Sequence, residues 1–249
     1  MAGHSKWANI KHRKGAQDAK RGKIFTKLIR EITISARTGG ADFSANPRLR
    51  AAMAAARAQN MPKDTIEKAI KRGIGDMDGV VYQEVRYEGY GPGGVAMIVD
   101  TLTDNINRTV ADVRSLLGKH GGNLGTTGCV SYLFDQKGQI LLEEGNEDAL
   151  MEITLEAGAE DLIADSNGFE IITQPDMFEP VLQALAKAGF DKPASAEITM
   201  RPQTTVTLDD KAAESMLKLV DVLEDHDDVQ RVHANFDIPD AVMERLGGG

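Results

Sequence analysis

The sequence predicts an α+β protein in three parts: a small N-terminal helical bundle, then a middle α+β domain interrupted by an inserted βαββαβ domain. Three observations carry this. Apolar residues keep a helical spacing up to Gly73 and fall into short strand-like runs after it. Glycine and acid gather in Gly73-Ile-Gly-Asp-Met-Asp-Gly79, where the charge of the chain changes sign, so a linker is placed there. One helix and one strand beyond Pro202 complete a set that the residues before Gln139 leave unfinished.

In the first part, Ile24, Leu28, Ile32 and Ala36 recur every four positions, a buried stripe that turns Lys23, Lys27 and Arg30 outward, and Gly39-Gly40 ends the helix. A second helix starts with Asn46 as N-cap and Pro47 in its first position. It continues to Ala58, and its alanines predict close helix packing. A third starts near Pro62, holds Asp64 and Glu67 in its early turns, where the helix dipole favours acids, and stops at Gly73.

Strands are then expected at Val81–Tyr87 and Val95–Thr101, joined by Gly89-Tyr-Gly-Pro-Gly-Gly94. A helix over Arg108–Lys119 and a strand over Val130–Phe134 follow. The inserted series reads Gln139–Glu143, Glu147–Ala157, Asp161–Ala164, Phe169–Thr173, Met177–Ala188 and Ala196–Met200. Asp210–Leu223 and Val229–Ala234 supply the closing helix and strand. The expected boundaries are 1–79 for the basic domain with its arm and linker, 80–137 with 203–240 for the discontinuous middle domain, 138–202 for the insertion and 241–249 for a tail.

Charge separates these parts. Up to Gly79 the formal charge is +10, and the rest of the chain carries -19. A basic lobe gathers phosphates by counterion release, while acidic domains repel nucleic acid and restrict which face touches it. The densest stretch holds Lys6, Lys11, Arg13, Lys14, Lys20, Arg21 and Lys23, with Trp7, His4 and His12 as planar groups for stacking on bases; Lys27 extends it. Arg108, in Asn105-Ile-Asn-Arg-Thr109 at a helix start, is a further phosphate candidate, with plain N-capping as the other reading of that segment.

Other chemistries find less support. The Gly89–Gly94 loop lacks a following Lys-Ser/Thr and leads into a strand, so it reads as a hairpin turn rather than a phosphate cradle. Tyr87, Tyr90, Gly91, Pro92 and Gly93 mark it as a possible RNA or partner loop, its tyrosines stacking or packing at the rim. The five histidines show no tight metal spacing, and Cys129 reads as a core residue of a buried strand rather than a nucleophile. The carboxylates Glu224, Asp225, Asp227 and Asp228 sit at the wrong end of a helix for its dipole, which points to repulsion of nucleic acid or to a basic partner. No cofactor, metal, catalytic residue, membrane segment or small-molecule substrate is expected. A single cysteine suits a cytoplasmic protein.

MAGHSKWANIKHRKGAQDAKRGKIFTKLIREI, NPRLRAAMAAARAQNMPKDTIEKAIKRG, YEGYGPGG, TDNINRTVADVR and GGNLGTTGCVSYLF closely resemble the YebC/PmpR family, which includes a mitochondrial translational activator of cytochrome c oxidase. The resemblance implies a ferredoxin-like identity for the inserted domain. It also implies a non-enzymatic, DNA-binding transcriptional regulator acting on promoter DNA. The alternative it carries is a ribosome-associated translation factor that binds rRNA and tRNA and assists proline-rich stretches. On this chain the family's basic region falls on Lys6 to Lys27 and its shared loop on Tyr87 to Gly94. Neither the residues nor the resemblance sets the oligomeric state.

Overall fold

The computed structural model describes residues 18–75, 82–165 and 168–247. The basic arm before Asp18 and residues 76–79 of the expected linker lie outside them.

Three helices form the N-terminal bundle: α1 (Asp18–Gly39), α2 (Pro47–Ala58) and α3 (Lys63–Ile74). Ile32, Ala36, Leu49, Ala52, Ala56, Ile66 and Ala69 make its core. The small residues set the helix spacing. A Cβ on Gly73 would sit 2.4 Å from the Thr33 carbonyl oxygen and 2.8 Å from the Ala36 Cβ, so α3 approaches α1 this closely because that position is glycine. Asn46 joins two helices. Its Oδ1 accepts the Leu49 N–H at 3.0 Å as the α2 N-cap, and its Nδ2 donates to the carbonyls of Ser35 and Gly40 at 2.8 and 2.9 Å.

The chain then forms β1 (Gln83–Tyr90), β2 (Ala96–Thr103), α4 (Ile106–Lys119) and β3 (Asn123–Leu124). There follow β4 (Phe134–Leu142), α5 (Glu147–Glu156), β5 (Asp161–Asp165), β6 (Gly168–Thr173), α6 (Phe178–Lys187) and β7 (Ser195–Pro202). It ends with β8 (Val206–Thr207), α7 (Asp210–Glu224), β9 (Val229–Ala234), β10 (Phe236–Asp237) and α8 (Asp240–Gly247). One antiparallel sheet has the order β3-β1-β2-β9 and a second has the order β5-β6-β4-β7; β8 and β10 form a short parallel pair. The first sheet therefore takes its last strand from beyond the whole of the second.

Strand alternation distributes the cores. Tyr87, Met97 and Val99 meet Val113, Leu117, Met216, Leu219 and Leu223 of α4 and α7. On the opposite face, Ala96 and Ile98 meet Val130 and Phe134. Ile140, Leu142 and Ile171 of the second sheet pack under Leu150 of α5 and Val181 and Leu185 of α6. The two sheets are tied through β9. His233, buried, donates from Nε2 to Asp100 at 3.3 Å and shares a hydrogen bond at Nδ1 with the Thr199 hydroxyl of β7 at 3.2 Å, while Arg231 donates to the Ile198 carbonyl at 2.6 Å. Burial works against the Asp100 charge, but hydrogen bonds from His233 and Arg86 outweigh it and hold the carboxyl at about 2.

Two expectations change. The strand expected over Val130–Phe134 is a 3₁₀ turn at Ser131–Leu133, after which a single strand runs from Phe134 to Leu142. The cause is Glu88 of β1, whose carboxylate accepts the N–H groups of Gly128, Val130 and Ser131 at 2.8 to 2.9 Å and folds the segment into a loop. Cys129 is accordingly a half-buried loop residue, and burial pushes its thiol pKa up. The end of the chain, expected as a tail over 241–249, is helical through Gly247, with Val242 buried against the α7 core.

Asn46→Ala removes a cap and the short side-chain donations to the Ser35 and Gly40 carbonyls, leaving Ser35 with the longer one from Thr38 Oγ1 at 3.4 Å. We expect it to lower stability by about 2 to 3 kcal/mol in urea denaturation. A loss below about 0.5 kcal/mol would show that α1 and α2 are held by apolar packing alone.

Candidate nucleic-acid interface

The outward face of α1 carries Lys23, Lys27 and Arg30 at positions i, i+4 and i+7, one stripe of a helix. That stripe meets the turn over 224–228 at the end of α7. Lys23 Nζ lies 2.5 Å from Asp225 Oδ2 and 3.2 Å from the Asp225 carbonyl. Lys27 donates to the Glu224 carbonyl, and Arg30 Nη1 to the Asp227 carbonyl at 2.7 Å. Carbonyls at a helix C-terminus lack intrahelical donors and carry the negative end of the dipole, so the basic stripe answers both deficits. The basic partner of the acidic cluster is thus a helix of the same chain.

Asp228 is the centre of this junction. Its side chain is 3% exposed. Oδ1 accepts from Arg30 at 2.9 Å, and Oδ2 from Arg108 at 2.7 Å and Thr109 at 2.8 Å, with Thr103 at 3.2 Å. Burial opposes the charge, but the donors from Arg108, Thr109 and Arg30 win and hold the carboxyl at about 2. The Arg30 guanidinium also lies 5.6 Å above the Tyr82 ring. A second tie between bundle and sheet is Arg48, which pairs with Glu31 at 2.7 Å and with Glu84 of β1. A cleft of about 470 Å³ beside these contacts is lined by Lys23, Arg30, Arg108, Asp104 and Asp227 among others.

The sequence-derived site residues therefore separate into groups. Lys6, Trp7, Lys11, His12, Arg13 and Lys14 lie outside the described residues. Lys20 and Arg21 fall in the first turn of α1. Lys23, Lys27 and Arg108 are engaged internally, Arg108 also with Asp104 at 2.8 Å. Asn105 caps α4 by accepting the Arg108 N–H at 3.1 Å. The Gly-Pro loop is a tight β1–β2 turn packed on α7 rather than a projecting one. Gly91 and Pro92 are buried, and a Cβ on Gly93, whose φ is +73°, would meet Leu208 at 2.6 Å. Tyr87 is in the core instead of at a rim, where burial and the nearby Asp228 charge push its pKa up; among the described residues its hydroxyl has no hydrogen-bond partner. Tyr90 is half-buried, its hydroxyl donating to the Cys129 carbonyl at 3.3 Å.

Sequence reasoning did not single out Arg30, Thr103 and Thr109 as partners of Asp228, nor the exposed cations of α3. Ile66, Ala69 and Gly73 face the core, which leaves Lys68, Lys71 and Arg72 on an outward ridge. Among the described residues these three have no carboxylate partner. Arg57 of α2 is exposed as well.

The folded Asp228 carboxyl binds its proton more weakly than an ordinary aspartate at 3.8, so its contribution to stability is complete above about pH 4 and is lost as pH falls towards about 2. We expect Asp228→Asn to cost about 2 kcal/mol at pH 7 and to flatten the acid loss of stability below pH 4, both read by urea denaturation across pH. An acid limb of unchanged depth would remove Asp228 as its source.

Residues 5–76 match the family model of the TACO1/YebC protein N-terminal domain, and residues 82–236 match that of the TACO1/YebC second and third domain. The chain is 64% identical over 248 residues to a "Probable transcriptional regulatory protein" of Magnetococcus marinus, with 99% of each chain covered. It is 58% identical over 248 residues to one of the same description from Desulforapulum autotrophicum, covering 99% of this chain and 100% of that one. The crystal structure of a conserved hypothetical protein from Aquifex aeolicus superposes with a TM-score of 0.85 at 47% identity, over 94% of this chain and 98% of that one. No helix among the described residues is long and apolar enough to cross a membrane. Two domain models that together take in most of the sequence, and relatives alike from end to end, place this chain in the TACO1/YebC family.

Proposed function

We propose that this protein is a non-enzymatic cytoplasmic regulator of transcription that binds DNA through its basic N-terminal domain. The descriptions of its relatives support a regulatory role. The observation that carries the nucleic-acid reading is a surplus of cations in the N-terminal part. Internal pairing uses Lys23, Lys27, Arg30 and Arg48, yet Lys68, Lys71 and Arg72 stay outward on α3, and the arm adds Lys6, Lys11, Arg13, Lys14, Lys20 and Arg21. Working boundaries for this reading are 1–79 for the binding domain, 80–137 with 203–240 for the middle domain and 138–202 for a ferredoxin-like insertion.

Phosphate contacts from an arm and a helix ridge give affinity and register without reading bases, so specificity would come from DNA shape. Replacing Lys11, Arg13 and Lys14 by alanine is expected to weaken duplex binding and to reduce the slope of log affinity against log salt by about 0.9 for each phosphate no longer neutralised. A folded triple variant with unchanged binding and slope would remove the arm from the interface. In cells, crosslinking followed by sequencing should recover promoter DNA from the wild-type chain and not from the triple variant. Recovery of large-subunit rRNA and tRNA instead would assign the protein to the ribosome.

A further inference from the structure

The two helices on the second sheet present different faces to solvent. On α6 the exposed row is Glu179, Gln183 and Lys187, which mixes signs and closes a Gln183–Glu179 hydrogen bond at 3.3 Å. That is an ordinary solvated face. On α5 the corresponding row, at positions i, i+4 and i+8, is Asp148, Glu152 and Glu156, all exposed and all acidic. Beside it runs an apolar ridge of Met151 and Leu155, 39% and 50% exposed. Among the described residues none of the three carboxylates has a cation or a hydrogen-bond donor.

Helix formation does not account for this face. Like charges four residues apart repel, and Glu156 stands in the last turn, where the dipole disfavours an acid. Two large apolar side chains left partly in water add a further cost. All of these are relieved by one kind of neighbour, a helix that brings cations beside an apolar residue, and the chain itself has such a helix. The acids of α3 are confined to its first half, Asp64 in the first turn and Glu67 paired with Lys63 at 3.6 Å. Its second half presents Lys68, Lys71 and Arg72 with Ile74, which is 58% exposed. Lys68 and Arg72 have the same i, i+4 spacing as Glu152 and Glu156. Both faces are open to solvent within one molecule, so the match is between two molecules.

We propose that α5 is a docking surface for the second half of α3 of another copy of this chain, the Lys68–Arg72 row lying against the acidic row and Ile74 against Met151 and Leu155. One face of a ten-residue helix is smaller than the roughly 1,000 Å² of a lasting interface. The association is therefore weak, forms at high protein concentration and is loosened by salt. Nucleic acid claims the same α3 cations in the reading above, so a duplex and a second copy exclude each other there; that consequence rests on the reading, whereas the association does not.

The test is sedimentation velocity on the full chain at low salt. The wild type is expected to show a mass that rises above the monomer's with protein concentration and falls back when salt is added. Glu152→Lys with Glu156→Lys places cations at the end of α5 that favours them and should weaken this association about tenfold. Lys68→Glu with Arg72→Glu should do the same. An equimolar mixture of the two variants should associate again, because a reversed α5 then meets a reversed α3. A mixture that stays monomeric, with both chains folded by circular dichroism, would overturn the pairing of these helices, as would a wild type that stays monomeric at every concentration. If such a monomeric wild type binds an amphipathic peptide of leucine and lysine, and the Glu152→Lys, Glu156→Lys chain does not, the second copy is overturned as the occupant and α5 belongs to a basic helix of another protein.

Discussion

A carboxylate removed from water stays ionised only where several donors replace its hydration, and Asp228 is such a group. Its donors come from two segments, both more than a hundred residues before it. Arg30 belongs to the first described helix, and Thr103, Arg108 and Thr109 to the end of β2 and the start of α4. The backbone N–H of Asp228 is in turn held by His226 Nδ1 at 3.1 Å, and its carbonyl accepts the Leu102 N–H at 2.8 Å. The seating of α1 on the first sheet depends on this residue being charged and fully coordinated, with the Arg48 pairs to Glu31 and Glu84 as the second tie.

The second sheet is attached by different physics. β2 is covered on both faces, by α4 and α7 on one and by the Val130–Phe134 segment with Met200 on the other. The junction is completed by the polar row Arg86, Asp100, His233 and Thr199, whose members are mutually hydrogen-bonded. Apolar burial supplies the area, and the polar row fixes the register of one sheet against the other. Glu88 has the same kind of influence at shorter range. Burial raises its proton affinity, but three backbone N–H groups lower it further, so one carboxylate shapes the whole loop after β3.

Much of this was legible in the sequence, and the reasons differ by element. Asn46-Pro47 and Gly40 speak through local backbone chemistry, so the helix ends of the bundle could be read from a few residues. The elements of the second sheet were legible because its strands and helices alternate in separate apolar runs. Val130, Tyr132 and Phe134 misled, because they alternate as a strand would, and the carboxylate that bends them is more than forty residues upstream. α8 was overlooked although Val242 and Leu246 have helical spacing, because so short a segment carries little periodicity. At the candidate site, the density of cations was plain but their allocation was not. Lys27 and Arg30 bond backbone carbonyls almost 200 residues away, and a carbonyl leaves no mark in a sequence.

The order β3-β1-β2-β9 also bears on how the protein is made. A chain growing from its N-terminus completes β2 at Thr103 but does not reach Val229 until the entire second sheet has been synthesised. At ordinary elongation rates that interval is about 10 s, during which β2 stands as an open edge. The helical bundle and the second sheet, built from neighbouring segments, are able to close first, so the first sheet, begun early, is finished last. Asp228 arrives with that final strand. The basic helix thus receives this counter-charge only after the whole second sheet has been synthesised, and until then a nascent chain carries α1 without it beside the most polyanionic machine in the cell.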